Sequence, residues 1–495
     1  MAAPHGKRSS GARPQHTRRR PAERDVYEHP LVGRYASPEM VRLWSPRYRV
    51  QIWRRIWLAL AETQRELGVP ISAQQIRALR KAADDIDFAA AAEYERRTRH
   101  DVMAHVHAFG DAAPAARGII HLGATSMDVV DNADLLLMRE GLGLLVGRLV
   151  AVVRVLADFC EQHADLPTLG FTHLQPAQLT TVGKRACLWL QDLVTDLQRL
   201  EALRVGLRCR GLRGATGTQA SFLQLLGSPA RVRQLEVRFA RRLGFDDAYP
   251  VCGQTYSRKV DAEIVCALAS FAATVQKICG DIRLLAMLRE IEEPFEPGQV
   301  GSSAMPYKRN PMRCERATGL ARYLISLVSS PLMTFGTQML ERTLDDSSNK
   351  RLVMPDAFLT ADALAILLYN ILSGLVVYPA VIAAHIQAEL PFLATESILM
   401  HAAARGQDRQ AVHELLRRQA REVREHMQRQ AGDNDLLTRL KAEPALAGLP
   451  WTKILSPQRY VGLAPQQTRA YLRRHVRPLL ARLASRELRP AAIRV

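Results

Sequence analysis

The chain reads as an all-α protein organised around a bundle of long helices, and three observations carry that reading. From about Arg34 onward apolar residues recur at spacings of three and four, the signature of amphipathic helix. Strand-like alternation of Val, Ile, Thr and Tyr is scarce. Several periodic runs are far longer than the globular mean helix of about 11–12 residues, which points to a long bundle rather than a compact orthogonal fold.

The first long run covers residues 131–163, with Leu135, Leu136, Met138, Leu142, Leu145, Leu149, Val152 and Leu156 on its apolar stripe, and Pro167 ends it. A second covers 180–209, and a third covers 257–293 and is closed by Pro294. Two more are predicted at 312–329 and 352–377. No strict heptad seam runs through them, so a simple coiled coil is not predicted. The chain then divides into a basic tail (1–33), a region of shorter helices (34–124), the long helices (125–377) and a last region of shorter helices (378–495). The last region is broken at Pro391, Gly432-Asp433-Asn434 and Pro450.

Composition narrows the class. A chain of 495 residues with 47 % apolar and 24 % charged side chains can bury a large core without staples. Its seven cysteines are scattered and never paired as C-x-x-C, so neither a disulfide framework nor a zinc site is indicated, and a reducing compartment fits. The N-terminus has no apolar segment of the signal-peptide kind. Residues 363–388 contain no charged side chain and are long enough to be tested as a membrane span. Tyr369, Asn370, Ser373, Gly374 and Pro379 interrupt them, and a buried bundle helix is the favoured reading.

The formal charge of +19 favours anionic partners in general. Part of the excess lies in the tail, where between residues 7 and 24 Lys7, Arg8, Arg13, Arg18, Arg19, Arg20 and Arg24 face one acid, Glu23. Residues 7–24 lack Leu, Ile and Phe, so they cannot make the amphipathic helix of a presequence. A solvated, disordered extension is the favoured reading, with an RNA-binding arm as the sharper alternative.

Three segments concentrate chemistry. Arg99-His100-Asp101, His105 and His107 are followed by His121 and by Thr125-Ser126 just before a long run. The histidines lack zincin spacing, so each reads first as an ordinary core or surface residue. Thr125-Ser126 reads as a helix cap that also presents N–H groups and hydroxyls to an anion. The second segment is Thr172-His173-Leu174-Gln175-Pro176, where Pro176 holds Gln175 out of the helical region and His173 can move protons near neutral pH. The third is Gly301-Ser302-Ser303-Ala304-Met305-Pro306-Tyr307-Lys308-Arg309-Asn310-Pro311. It fits neither a phosphate-binding P-loop nor a nucleophile elbow, yet its Ser, Lys and Asn suit a developing oxyanion beside a proton-transfer group.

That third segment resembles the signature of the fumarase/aspartase superfamily. Within it, Arg34-Tyr35-Ala36-Ser37-Pro38-Glu39-Met40, Arg99-His100-Asp101, Thr172-His173-Leu174-Gln175-Pro176, Gly253-Gln254-Thr255-Tyr256-Ser257-Arg258 and Glu341-Arg342-Thr343-Leu344-Asp345-Asp346-Ser347 are similar to the vertebrate-type adenylosuccinate lyase family. The resemblance covers about residues 34–478. It implies a three-domain all-α fold whose long helices form the core of a homotetramer, with each active site built from three subunits. It implies elimination of fumarate from N-substituted aspartates, with no metal and no cofactor, in the cytoplasm. It further implies His173 as general acid and Ser302 as general base, with Ser303 the alternative beside it. The residues alone would have put a histidine in the base role.

Lys308 and Asn310 would stabilise the carbanion-type intermediate, and His100 would stand near the acid. Arg34, Tyr35, Arg99, Asp101, Arg316, Arg342, Ser347 and Arg351 would meet phosphate and nucleotide, and Thr125, Ser126 and Gln254 the succinyl group. Cys314 departs from the serine usual in the family. Competing readings are a sister lyase of the superfamily and a non-enzymatic scaffold that uses the basic charge. No membrane partner is implied, and nucleic acid would be met only through the tail.

Overall fold

The computed structural model describes residues 26–490 and Ile493, so the expectation of a disordered tail at 1–25 lies outside the described residues. The tail as read from sequence ends too late. Residues Leu31–Tyr35 form a helical turn whose Leu31 is buried in the main core and which packs on a long helix described below.

Short helices follow: α1 (Pro38–Leu43), α2 (Pro46–Glu66), α3 (Ala73–Lys81), α4 (Phe88–Thr98) and α5 (Asp101–Ala112). Local chemistry starts them. Ser37 and Ser45 each accept an N–H three residues on, at 3.2 Å in both cases, and each is followed by a proline whose missing N–H costs nothing at that position. The long helices are α6 (Ser126–Gln162), α7 (Val182–Gly206) and, after α8 (Ala220–Leu226) and α9 (Pro229–Arg242), α10 (Lys259–Met287). Then come α11 (Met312–Ser326), α12 (Ser329–Thr337) and α13 (Asp345–Ser373). Helix α6 packs along α7 and α13, and α10 along α11, α7 and α13.

All five expected long runs are helical, with shifted ends. The third stops at Met287, and Ile291–Glu292 instead pairs antiparallel with Val376–Val377. The run at 312–329 ends at Ser326, and α12 follows as a separate helix. The last begins at Asp345 and tolerates Pro355 inside it. The uncharged window at 363–388 is therefore no single span: it is the buried end of α13, a strand, and α14 (Pro379–Leu393). Helices α10 and α13 are long and apolar enough to cross a membrane, but 61 % and 78 % of their most apolar windows are buried inside the fold.

An antiparallel hairpin interrupts the helices. Strand β1 (Pro167–Thr172) pairs with β2 (Gln175–Thr181), and the hairpin packs on α14.

The regions 34–124 and 125–377 do not have separate cores. One apolar core takes in residues 31–390, and the segment 461–483 returns to it. A smaller second core lies within 394–454, around α15 (Thr395–Ala403) and α16 (Arg409–Gln430). The long-helix region also leaves large apolar side chains in solvent. Leu188 and Val205 on α7, Met287 on α10, Leu332 and Met333 on α12, and Leu352 on α13 are all exposed, and Leu340 between α12 and α13 is 96 % exposed.

Candidate active site

The N-termini of α5 and α6 meet. His100 caps α5, its Nδ1 accepting the Met103 N–H at 3.3 Å, and its Nε2 lies 3.3 Å from Ser126 Oγ at the start of α6. Arg99, before it, ends α4 in the left-handed conformation. Asp101 receives Arg351 Nη2 from α13 at 2.6 Å. Thr125 donates its N–H to Asp128 Oδ2 at 2.8 Å, which closes the first turn of α6. The remaining free N–H groups of two helix starts, two hydroxyls and an arginine thus converge, an arrangement suited to anions.

Gln254 and Arg342 form the second part. Arg342 Nη1 donates to Gln254 Oε1 at 2.9 Å, and the Gln254 side-chain amide donates to the Ala215 carbonyl at 3.0 Å. Ser347 and Arg351 lie further along, in the first turns of α13. Arg34 and Tyr35 lie on the turn that packs against α13, Arg34 exposed and Tyr35 half-buried. Arg316 is half-buried in the second turn of α11.

His173 stands apart. It and Leu174 form the two-residue turn of the β1–β2 hairpin, with φ of 54° and 58°. Such turns demand positive φ at both positions, where Asn-Gly is the usual choice. Two ordinary side chains held there are an outlier of the kind found at functional sites. His173 is exposed and has no hydrogen-bond partner among the described residues.

Ser302, Ser303 and Lys308 lie on an open loop before α11. Ser302 Oγ accepts N–H groups from Met305 at 3.1 Å and Ala304 at 3.4 Å. Asn310 Nδ2 closes the loop on the Gly301 carbonyl at 2.8 Å. A Cβ at residue 301 would stand 2.2 Å from the Lys308 carbonyl oxygen, so only glycine allows this closure. Ser303 and Lys308 are exposed, and none of these hydrogen bonds leaves the loop.

The structure thus brings His100, Asp101, Ser126 and Arg351 together, and Gln254 with Arg342. It joins neither His173 nor the Ser302 loop to them by hydrogen bonds.

His121 and His105 of the first segment have structural surroundings instead. His121 Nδ1 accepts the Trp57 indole N–H at 3.0 Å, and burial lowers its pKa. His105 packs edge-on to Trp53 and is likewise lowered by burial. Among the described residues no group of three or more His, Cys, Asp or Glu is placed to hold a metal ion. Cys314 is buried. A hydrogen bond with Cys279 and burial push its thiol far up, so it packs as a neutral group. Sequence reasoning missed the buried charges behind the site, Asp128, Asp131, Arg210 and Arg258, and the half-buried Lys350 beside them. Carboxylates three apart on a helix face otherwise lined with Leu and Met were the available signal.

Known proteins share this architecture. A family model described as Lyase matches residues 33–325, and one described as Adenylosuccinate lyase C-terminus matches residues 391–471. The adenylosuccinate lyase of Schizosaccharomyces pombe is 49 % identical over 92 % of this chain and 96 % of its own length. That of Saccharomyces cerevisiae is 50 % identical over 91 % and 95 %. This chain belongs to the adenylosuccinate lyase family. Its fold extends beyond the adenylosuccinate lyases: the crystal structure of 3-carboxy-cis,cis-muconate lactonizing enzyme from Pseudomonas putida superposes with a TM-score of 0.79 at 26 % identity, over 90 % of this chain and 99 % of that one. The fold therefore does not select the reaction, and the side chains at the site must.

Proposed function

We propose that the chain is an adenylosuccinate lyase, a C–N lyase that eliminates fumarate from adenylosuccinate to give AMP. The same site would eliminate fumarate from succinyl-aminoimidazole carboxamide ribotide to give the carboxamide ribotide, both steps of purine biosynthesis. The observation that carries the reading is the meeting of two helix N-termini with Arg351, beside the Arg342–Gln254 pair. A substrate with one phosphate and two carboxylates is the kind of ligand such a site recognises.

In this reading Ser302 removes the proton from the carbon beside a carboxylate, the C–N bond breaks, and His173 protonates the departing nitrogen. A serine base must carry a negative oxygen. Two backbone N–H groups aimed at Ser302 Oγ stabilise that form, and Lys308 and Asn310 are in the same loop for the doubly charged carboxylate of the intermediate. Ser303 makes no such bond among the described residues, which favours Ser302 over it. His100 supports the acid end. Thr125, Ser126 and Gln254 hold the succinyl group, and Arg34, Tyr35, Arg99, Asp101, Arg316, Arg342, Ser347 and Arg351 hold the phosphate and nucleotide.

The acid and base belong to different parts of one chain, and the long helices expose apolar side chains. Both facts support a homotetramer with sites completed between subunits. The regions 34–124, 125–377 and 378–495 then act as units of a shared site, in a cytoplasmic enzyme that needs no metal or cofactor. Fumarate release from adenylosuccinate by the purified protein tests the reading.

A further inference from the structure

Asp128, Asp131 and Asp134 are spaced by three residues and so share one face of α6. Each meets a cation from a different segment. Asp128 Oδ1 pairs with Arg210, both side chains fully buried. Asp131 Oδ1 takes Arg258 Nη2 at 2.9 Å, and Arg258 also reaches Asp346 at 2.6 Å. Asp134 takes Lys350 Nζ at 3.1 Å and, from the other side, Arg49 at 3.4 Å.

Each link leads to a substrate-facing group. Asp128 closes on the Thr125 N–H, while Arg210 donates onward to the carbonyls of Gly253 and Gln254. Asp346, held by Arg258, lies 3.8 Å from Arg342 Nη2 and directly precedes Ser347. Lys350, also bonded to Tyr256 Oη at 2.8 Å, directly precedes Arg351.

The segments so held are anchored in the main core by Leu212 and Tyr256. Residues 211–217 contain three glycines, and a Cβ at Gly217 or Gly253 would stand 2.0 Å or 2.7 Å from a neighbouring carbonyl oxygen. At those two glycines backbone lies directly on backbone. Buried ion pairs add little net stability compared with apolar groups of the same size, but an arginine fork fixes direction.

We propose that the carboxylate row of α6 is the positioning frame of the anion site, setting where Gln254, Arg342, Ser347 and Arg351 stand relative to Thr125 and Ser126. The inference rests on the lyase reading above. Its members are positioning residues, since none reaches the acid or base loops.

Asp131→Asn removes one charge and turns an amide donor toward the donating Tyr256 N–H. Arg258→Lys keeps the charge but cannot bridge Asp131 and Asp346. The groups they position bind ground state and transition state alike. Each folded tetramer should therefore show KM for adenylosuccinate, and Kd for AMP by calorimetry, raised about tenfold or more with kcat within about threefold. Leu149→Ala, a cavity variant in the same helix far from these loops, should lower Tm and leave KM and Kd unchanged. If either charge variant fails to fold, Lys350→Gln at the outer end of the row gives the same readout. Wild-type KM and Kd in the folded charge variants, or an equal rise in Leu149→Ala, would overturn the frame. A wild-type protein that does not turn over adenylosuccinate would instead overturn the lyase reading, and AMP affinity would still test the frame.

Discussion

Mixing two dead variants tests the shared site most sharply. His173→Ala removes the proposed acid from the hairpin tip, and Ser302→Ala removes the proposed base from the signature loop. Each alone should lower turnover by about 10²–10⁴-fold, the usual contribution of a positioned proton-transfer group, or about 3–5 kcal/mol of barrier. His173 has no hydrogen-bond partner among the described residues, and the hydrogen bonds of Ser302 stay within its own loop. If every site takes His173 from one subunit and Ser302 from another, random 1:1 assembly leaves half the acid positions and half the base positions intact. About a quarter of the sites then hold both groups, so the mixture should recover about 25 % of wild-type turnover, far above either parent. The assay is initial rate of fumarate release after dissociation and reassembly of the two variants, with light scattering to confirm particles of about four chains. Subunit exchange without any gain in rate would show that acid and base come from the same chain, and the shared site would fall.

Three further outcomes follow from particular side chains. Burial, only partly offset by hydrogen bonds from Thr274 and Ser270, raises the Asp196 carboxyl to about 6, so folding favours its protonated form. The penalty is absent below the unfolded carboxyl value and grows as pH rises toward 6. Asp196→Asn should therefore raise Tm at pH 8, by a change of about 2–3 kcal/mol, and have a much smaller effect at pH 4; equal effects at both pH values would contradict the assignment. Arg351→Met breaks a largely exposed ion pair with Asp101 worth under about 1 kcal/mol, so Tm should hardly move while KM for adenylosuccinate rises about tenfold; a large Tm loss at unchanged KM would make Arg351 structural. Deleting residues 1–24, which carry seven basic side chains and one acid, should leave turnover and Tm unchanged and remove any salt-sensitive nucleic-acid binding; loss of turnover in a folded tetramer would place the tail at the site.

The long helices were legible because each repeats an apolar stripe over many turns, as Leu135 to Leu156 does, and that signal survives local exceptions. The start of α13 was not. Asp345-Asp346-Ser347-Ser348-Asn349-Lys350-Arg351 has no apolar period, because these residues turn toward buried carboxylates and the anion site rather than toward the apolar core. The hairpin was missed for a related reason: its strands are short, Gly170 and Pro176 stand within them, and its turn is His173-Leu174 rather than Asn-Gly. The three chemical segments were visible as local density of Ser, His, Lys and Asn. What stayed hidden was their support. A carboxylate such as Asp131 reads as solvated surface until its partner Arg258, shared with Asp346, arrives from far along the chain. Only tertiary structure could supply them.

The most direct test of the whole account follows both products of one reaction. Purified wild-type protein is given adenylosuccinate without added metal or cofactor, and fumarate and AMP are measured together. The account predicts the two in equal amounts, catalytic in enzyme, and almost none from the folded Ser302→Ala tetramer. A folded wild-type tetramer that releases no fumarate, or a Ser302→Ala tetramer that releases it at the wild-type rate, would contradict it.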